Sequence, residues 1–410
     1  QKRAALEAID LKAWFANMPW SRGNSPLSAV PGYEDYLFEQ WEKTLFDDYW
    51  KIPSLYAAGY YDQMPVVPSV HISGWYDPYA VTAVENYCGL RAQGHPTALI
   101  LGPWTHGARS KTFAGDVDFG AEATFDAGLG EDFVSWRIAY FRNVLDGKPP
   151  QGAPVRVFVM GGGTGRTLEN GRRDHGGGWI SAEQWPPEQA EPVALYLDTG
   201  GRLSFAPPTS EARHDYVADP ANPVPTIGGP ITSGAPIMEG GAYDQRADLR
   251  FFGGDATAPG TAERDDVLVF ETEPLTEDIV LIGDVRLDLF AQSDAENTDF
   301  TAKLVDVYPD GYALNLCDGI LRACYREGFD KALPLTPGKT ERLKIALYPT
   351  ANRFAKGHRI RLEVASSNFP RFDICPNTMP GNDLTPDRKI ARNTILTGPE
   401  TASVLRCHRL

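Results

Sequence analysis

The sequence predicts a chain of mixed fold class, in which an α/β region is followed by an all-β sandwich of the jelly-roll type. Two observations indicate this. Residues 65–149 contain a buried strand, a helix and a second buried strand, the order of a βαβ unit with parallel strands. From residue 150 to 410, short strands of alternating polarity recur between turns rich in Gly, Pro, Asp and Asn.

The first 64 residues are predicted to be a helical segment and not an independent domain. Its helix is expected around EDYLFEQWEKTLFDDYW. Tryptophans and tyrosines recur there without lying on one face, so we expect the segment to pack on another part of the molecule.

Two strands and two helices are predicted over residues 65–149. VVPSVHISGW and PTALILGPW are apolar and rich in β-branched residues, which is typical of buried strands. PYAVTAVENYCGLRAQG between them predicts a helix, with Pro78 in its first turn and Gly94 beyond its end. GEDFVSWRIAYFRNVLDGKPP has apolar residues at helical spacing and predicts a second helix that stops near Gly147.

Seven further runs predict the strands of the sandwich. In this region GGGTGRT, at 161–167, lacks the spacing of a phosphate loop and is expected to be a turn. His175 is expected in an exposed loop and His358 in a turn. The predicted strands are PVRVFVMGG, PVALYLD, DVLVFETEPL, IVLIGDVRLDLFAQS, DFTAKLVDVYPDG, ERLKIALYPT and HRIRLEVASSN.

Composition excludes several classes of partner. The chain has 410 residues, 42% of them hydrophobic and 23% charged, which suits two or three globular domains. Its formal net charge of -15 opposes binding to nucleic acid and to anionic membranes. No apolar stretch is long enough to cross a membrane, and QKRAALEAIDLKAWF lacks the apolar core of a signal peptide.

The five cysteines are odd in number and widely spaced, without a CxxC pair, which favours free thiols. Together with the N-terminal sequence, they predict a cytoplasmic protein. We expect no metal ion and no organic cofactor.

An acid and a histidine follow the two predicted strands. Because the carboxyl ends of parallel strands meet at one edge, Asp77 and His106 are expected side by side where open α/β sheets bind ligands. A carboxylate bonded to one ring nitrogen leaves the other free as a general base. Taken singly, each residue has a plainer interpretation: Asp77 as a helix N-cap, and His106 as a solvated loop residue.

Three aromatic residues flank this pair and are the candidate substrate-binding residues. Trp75, Tyr76 and Trp104 could line an apolar or aromatic pocket. They could equally pack in the core, the commoner place for Trp and Tyr near a sheet edge. Both interpretations stay open.

The sequence resembles the cocaine esterase and X-prolyl dipeptidyl-peptidase family of serine hydrolases, the S15 or CocE/NonD group. SGWYDPY and LILGPWTHG, around the two candidate residues, carry the resemblance. The other matching segments keep the family's order along nearly the whole chain. They are DFG at 118–120, FRNVLDG at 141–147, RVFVMG at 156–161, DFTAKLVDVYPDG at 299–311, LCDGILRACYRE at 316–327 and GHRIRLEVASSNFPRFD at 357–373.

The resemblance implies an α/β-hydrolase core, a helical cap inserted into it and a C-terminal jelly roll. On that basis residues 1–64 are a cap segment, 65–149 the C-terminal part of the core, and 150–410 the jelly-roll β-sandwich. It also implies that Asp77 is the acid and His106 the base of a catalytic triad.

The family's nucleophile is a serine in a Gly-x-Ser-x-x-Gly elbow before the cap, and no such elbow is recognisable here. Ser73 lies within the first predicted strand and is a poor candidate. We therefore expect the chain to begin inside the cap, and a missing or separate N-terminal segment to carry the serine and the oxyanion-hole donors.

The expected function is hydrolysis of a small-molecule ester or amide through an acyl-enzyme. The alternative is a non-catalytic binding or structural subunit whose jelly roll recognises a partner or carbohydrate. Whether the chain forms a homo-oligomer is left open.

Overall fold

The helices and strands follow the predicted order, α/β first and all-β second. The computed structural model describes residues 9–148, 152–232, 238–246, 248, 250–253, 259–379 and 384–410. The α-helices are α1 (Leu11–Ala16), α2 (Pro31–Glu42), α3 (Ala80–Ala92), α4 (Phe125–Leu129) and α5 (Phe133–Leu145). Short 3-10 helices span Ala57–Gln63, Ala121–Ala123, Thr199–Gly201, Thr261–Glu263 and Ala323–Tyr325.

The strands are concentrated after residue 150. They are β1 (Ser69–Tyr76), β2 (Thr97–Thr105), β3 (Phe113–Ala114), β4 (Val117–Asp118), β5 (Val155–Met160), β6 (Arg173–Asp174), β7 (Gly177–Ala182), β8 (Glu191–Asp198), β9 (Arg202–Ser204), β10 (Ala212–Ala218), β11 (Leu268–Glu271), β12 (Ile279–Ser293), β13 (Asp299–Val307), β14 (Ala313–Arg322), β15 (Glu341–Ala346), β16 (Thr350–Phe354), β17 (Arg359–Ala365), β18 (Ala391–Thr397) and β19 (Val404–Arg409).

The N-terminal segment is helical over part of the predicted stretch. Helix α2 forms where expected, but residues 43–50 are not helical: 43–47 are irregular and 48–50 form a turn. The side chain of Asp47 accepts a hydrogen bond from the N–H of Tyr49 at 3.0 Å, a local turn that competes with helix. The segment packs on the rest of the chain, as predicted: the rings of Phe15 and Phe369 are 5.6 Å apart.

The predicted βαβ unit is confirmed. Strands β1 and β2 pair in parallel from Ser69 opposite Thr97 onward, and α3 connects them. Helix α3 buries Val84 and Leu90 on one side of these strands. Gly94 follows the helix with a φ of +83°, a conformation that glycine adopts without strain.

Helix α5 packs on the opposite side of the same strands. Its N-cap is Asp132, whose carboxylate accepts hydrogen bonds from the N–H groups of Val134 and Ser135. Its first turns place Phe133 and Trp136 against a cluster that contains Trp104. The two helices thus enclose the sheet from both faces.

Strand β5 differs from the prediction, because it extends the parallel sheet. It pairs in parallel with β2, where Leu99 lies opposite Val155, and its other side pairs antiparallel with β7. Its apolar run suits either kind of sheet, so the local pattern could not assign it. The sheet therefore continues past residue 150, and one hydrophobic cluster contains both Trp75 of β1 and Leu304 of β13.

The predicted β-sandwich is confirmed. In one sheet the long strand β12 pairs antiparallel with β15, β16, β18 and β19, which lead to β8 and β10. The other sheet has the order β14, β13, β17, β11, and the short strand β9 joins β11 to β8 of the first sheet. Side chains alternate along β12, so that Leu287 and Leu289 enter the core while Arg286 and Asp288 do not.

Two further predictions concern the whole chain. The five cysteines are free thiols, as predicted; four are buried and Cys88 is exposed. Within the ranges given above, no helix has the length and apolar character needed to span a bilayer.

Candidate active site

The carboxyl ends of β1 and β2 bring Asp77 and His106 into contact. Nδ1 of His106 lies 3.1 Å from Oδ2 of Asp77. Tyr76, the last residue of β1, lies opposite Thr105, the last residue of β2, so the residues that follow share one edge of the sheet. This is the juxtaposition that the strand-helix-strand pattern predicted.

Asp77 is buried and has a hydrogen bond at each carboxylate oxygen. Oδ2 faces His106, while Oδ1 accepts the N–H of Tyr79 at 2.9 Å. The N-cap interpretation of Asp77 is wrong, because α3 begins only at Ala80 and its N-cap is Tyr79. Pro78 accordingly precedes the helix instead of lying in its first turn. The acid instead forms a tight turn between strand and helix.

His106 presents the rest of its ring to solvent. Its side chain is 56% exposed, and the ring of Tyr79 meets it edge to face, with centroids 5.2 Å apart. Nε2 has no hydrogen-bond partner in the part of the chain that the structure describes. The carboxylate can therefore hold the ring with Nδ1 protonated, and Nε2 can accept a proton from a group that approaches from outside.

The three flanking aromatic residues are in the core, so the pocket-wall interpretation is wrong. Trp75 and Tyr76 are 0% exposed and Trp104 is 3% exposed, which leaves no face for a substrate. The carbonyls of the surrounding core meet the polar end of each ring. The hydrogen bonds run from Trp75 Nε1 to Phe158 O at 2.7 Å, from Tyr76 Oη to Asn315 O at 3.0 Å and from Trp104 Nε1 to Ala123 O at 2.7 Å.

Two residues near the pair were not predicted. Tyr79 is exposed and contacts His106; its place two residues after the acid was the one available signal. The hydroxyl of Tyr348 donates to the carbonyl of Pro78 at 3.2 Å. These two residues are 270 apart in sequence, so no local pattern connects them.

His175 is buried, contrary to the prediction of an exposed loop. Its Nδ1 lies 2.5 Å from Oη of Tyr308 and its Nε2 lies 2.8 Å from Oδ1 of Asn352. Burial lowers the pKa of His175 below its ordinary value, and the nearby Asp306 opposes that shift. His358, predicted in a turn, bonds Asp306 through Nδ1 at 2.7 Å and belongs to the same network.

The described residues contain no group of three His, Cys, Asp or Glu side chains that could hold a metal ion. At this edge of the sheet the structure brings together a carboxylate and an imidazole. An acid that orients a histidine is the arrangement that activates a nucleophile in acyl transfer.

Two family matches together cover most of the chain. Residues 150–406 match the X-Pro dipeptidyl-peptidase C-terminal non-catalytic domain. Residues 1–108, which include both Asp77 and His106, match the X-Pro dipeptidyl-peptidase S15 family.

Individual relatives are similar over much of this chain. The cocaine esterase of Rhodococcus sp. (strain MB1 Bresler) is 34% identical over 321 residues, or 74% of this chain and 50% of the esterase. Solved structures of an aminopeptidase from a marine sediment Thaumarchaeota archaeon and of an α-amino acid ester hydrolase are each 26% identical, with a TM-score of 0.74. Each match covers 94% of this chain and 62% of the chain in the solved structure. The chain spans about half the length of the curated relatives it matches.

Proposed function

This chain belongs to the X-Pro dipeptidyl-peptidase S15 family, and from that premise we propose that it is part of a serine hydrolase that cleaves acyl esters or amides. One observation carries the proposal. Nδ1 of His106 lies 3.1 Å from Oδ2 of Asp77 at the carboxyl edge of a parallel sheet. Residues at such an edge can meet a nucleophile that follows another strand of the same sheet.

In the proposed reaction Asp77 orients His106 and stabilises its positive charge. Nε2 of His106 removes the hydroxyl proton of a serine while the serine oxygen attacks the carbonyl carbon of the substrate. The same nitrogen then gives the proton to the leaving alcohol or amine. Water repeats the cycle on the acyl-enzyme, so the serine is regenerated and an acid is released.

The serine is proposed to come from a segment outside this sequence, and the uncovered edge of β1 supports this. Strand β1 pairs with β2 on one side, and no described strand pairs with its other side. Such an edge presents main-chain N–H and C=O groups to another strand. The buried Oγ of Ser73, on this same strand, also has no partner among the described residues.

An apolar stripe on α5 points to the same segment. Val134, Ile138, Phe141 and Leu145 are spaced to lie along one face of the helix, and they are 54%, 46%, 59% and 86% exposed. We call these four residues the α5 stripe. Because α5 covers one face of β1 and β2, a segment that extends the sheet beyond β1 could also pack a helix on this stripe.

We specify the substrate only by the ester or amide bond that is cleaved. The relatives named above are an esterase, an aminopeptidase and an ester hydrolase, so esters and amides both stay within the proposal. Trp75, Tyr76 and Trp104 no longer inform the substrate's shape, because they are buried. Tyr79 is the exposed aromatic residue that contacts His106, and we expect it to border the bound acyl group.

A fluorophosphonate probe tests the proposal in the intact protein that contains this chain together with its serine. We expect the probe to label the wild type, and His106→Ala to slow labelling by roughly a thousandfold, since the serine loses its base. His214→Ala is the control, because His214 lies on β10 in the sandwich. Labelling of His106→Ala at the wild-type rate would refute the role of His106.

A further inference from the structure

The turn that carries Asp77 is bonded to the β-sandwich on both sides of the acid. On one side, Tyr76 Oη donates to the carbonyl of Asn315, on β14, at 3.0 Å. On the other side, the carbonyl of Pro78 accepts the hydroxyl of Tyr348, between β15 and β16, at 3.2 Å. The region that matches the non-catalytic domain thus contacts both neighbours of the candidate acid.

We propose that Tyr348 is a positioning residue for the Asp77–His106 pair, so that the β-sandwich takes part in setting the geometry of catalysis. This inference rests on the proposed function, because it assumes that the pair transfers the proton. The hydroxyl of Tyr348 bonds the carbonyl of Pro78 and not the side chain of Asp77 or His106. It acts through a single peptide group, the one between Pro78 and Tyr79.

That peptide group links the hydroxyl of Tyr348 to the carboxylate of Asp77. Its carbonyl, on Pro78, accepts a hydrogen bond from the hydroxyl of Tyr348. Its N–H, on Tyr79, donates a hydrogen bond to Oδ1 of Asp77 at 2.9 Å. A trans peptide is planar, with the C=O and the N–H pointing in opposite directions. Fixing the carbonyl therefore aims the N–H, which in turn sets the rotation of the carboxylate that faces His106.

Electrostatics add to this geometry. A hydrogen bond to the carbonyl of a peptide polarises the whole amide and strengthens the bond that its N–H donates. The acceptor at Asp77 is a carboxylate, for which such bonds are strongest. Without the hydroxyl, we expect the N–H of Tyr79 to bind Oδ1 less firmly and the carboxylate to sample other rotations.

Tyr348 is itself held in place. The guanidinium of Arg371 lies over its ring, 4.9 Å from the centroid, and Arg371 pairs with the buried Asp318. Oδ2 of Asp318 accepts a hydrogen bond from Asn368 at 2.9 Å, and its main-chain carbonyl accepts the N–H of Tyr348 at 3.1 Å. With ring and backbone both fixed, the hydroxyl is preorganised toward the turn.

Tyr348 separates positioning from folding better than Tyr76 does. Tyr76 is in the shared hydrophobic core, so its substitution would disturb packing as well as the turn. Tyr348 is only half-buried, and phenylalanine keeps its ring over Arg371 while removing one oxygen. Tyr87 supplies the matched control: it is buried on α3, after the same turn, and its hydroxyl has no partner among the described residues.

The first test compares Tyr348→Phe with Tyr87→Phe in the intact enzyme. Removing a hydrogen bond of ordinary strength should lower kcat about fivefold in Tyr348→Phe, with KM unchanged. Tyr87→Phe should match the wild type in both constants. If Tyr348→Phe retains the wild-type kcat, the inference is overturned. His106→Ala in the same assay reports separately on the proposed function.

The second test needs no activity and uses this chain. Amide hydrogen exchange at Tyr79, measured by NMR, should be about fivefold faster in Tyr348→Phe, because its bond to Asp77 opens more often. Tyr87→Phe should leave that amide at the wild-type rate. Equal exchange of the Tyr79 amide in both variants would show that Tyr348 does not hold the turn and would overturn the inference even if the hydrolase assignment stands.

Discussion

The α/β region and the β-sandwich differ in how completely their own residues cover them. In the sandwich, β13 buries eight of its nine residues. In the α/β region, α3 buries five residues but α5 buries none. The α5 stripe and the outer edge of β1 lie on this less covered side.

The candidate site and the residues that bond its turn therefore lie in different regions. Asp77 and His106 lie on the less covered region, where a nucleophile can approach, whereas Asn315 and Tyr348 of the well-packed region hold the turn between them. The sandwich reaches the α/β region through these two hydrogen bonds and can position the acid from there. We therefore expect the same substitution to change the free energy of unfolding by different amounts in the two regions.

The largest expected effect comes from one substitution made in both regions. Leu304→Ala, at a residue of β13 that is 0% exposed, should lower the free energy of unfolding by about 2–5 kcal/mol through lost burial and a cavity. Leu145→Ala, at a residue of the α5 stripe that is 86% exposed, should change it by less than about 0.5 kcal/mol. Denaturant unfolding of this chain measures both free energies. Similar losses of stability in the two variants would show that the two regions do not differ in this way.

A smaller effect concerns pH and the network around His175. Because burial lowers its pKa, the folded chain binds fewer protons there than the unfolded chain does. The stability from this group is complete above its ordinary pKa of 6.5 and is lost as pH falls below that value. We expect His175→Gln to have a lower free energy of unfolding than the wild type at pH 8, and this difference to narrow as the pH falls from 8 to 5.

The control for that pH effect keeps the histidine. Tyr308→Phe removes the hydrogen bond to Nδ1 of His175 and adds no group that titrates between pH 5 and 8. Because the histidine remains, the free energy of unfolding of this variant should still decline as the pH falls below 6.5, as that of the wild type does. A gap between His175→Gln and wild type that stays constant from pH 8 to pH 5 would contradict the prediction.

The smallest effect on this chain alone is expected on the α5 stripe. Phe141→Lys should leave its unfolding free energy within about 0.5 kcal/mol, since Phe141 is exposed. In the assembly with the serine-bearing segment, the same change should cost about 1–3 kcal/mol, because an apolar contact is lost and a charge is buried. Arg142→Ala, an exposed neighbour outside the stripe, should be nearly neutral in both. An assembly indifferent to Phe141→Lys would show that nothing packs there.

The sequence by itself determined the elements and the edge at which the candidate site lies. The spacing of apolar residues, the turn residues and the order of the strands specify a βαβ unit. The carboxyl ends of its two parallel strands must lie at one edge of the sheet, and this alone predicts that Asp77 and His106 lie together. These signals are local, because the spacing of apolar residues along a few turns or strands is enough to decide them.

Only the tertiary structure decided which side chains are buried and what they contact. The local sequence around Trp75 and Tyr76 does not distinguish rings that line a pocket from rings that fill a core. The sandwich that covers them comes much later in the chain. His175, Tyr348 and strand β5 likewise acquire their places through partners that are distant in sequence. Such contacts depend on the register of separate strands once the core has formed, and no local period encodes that register.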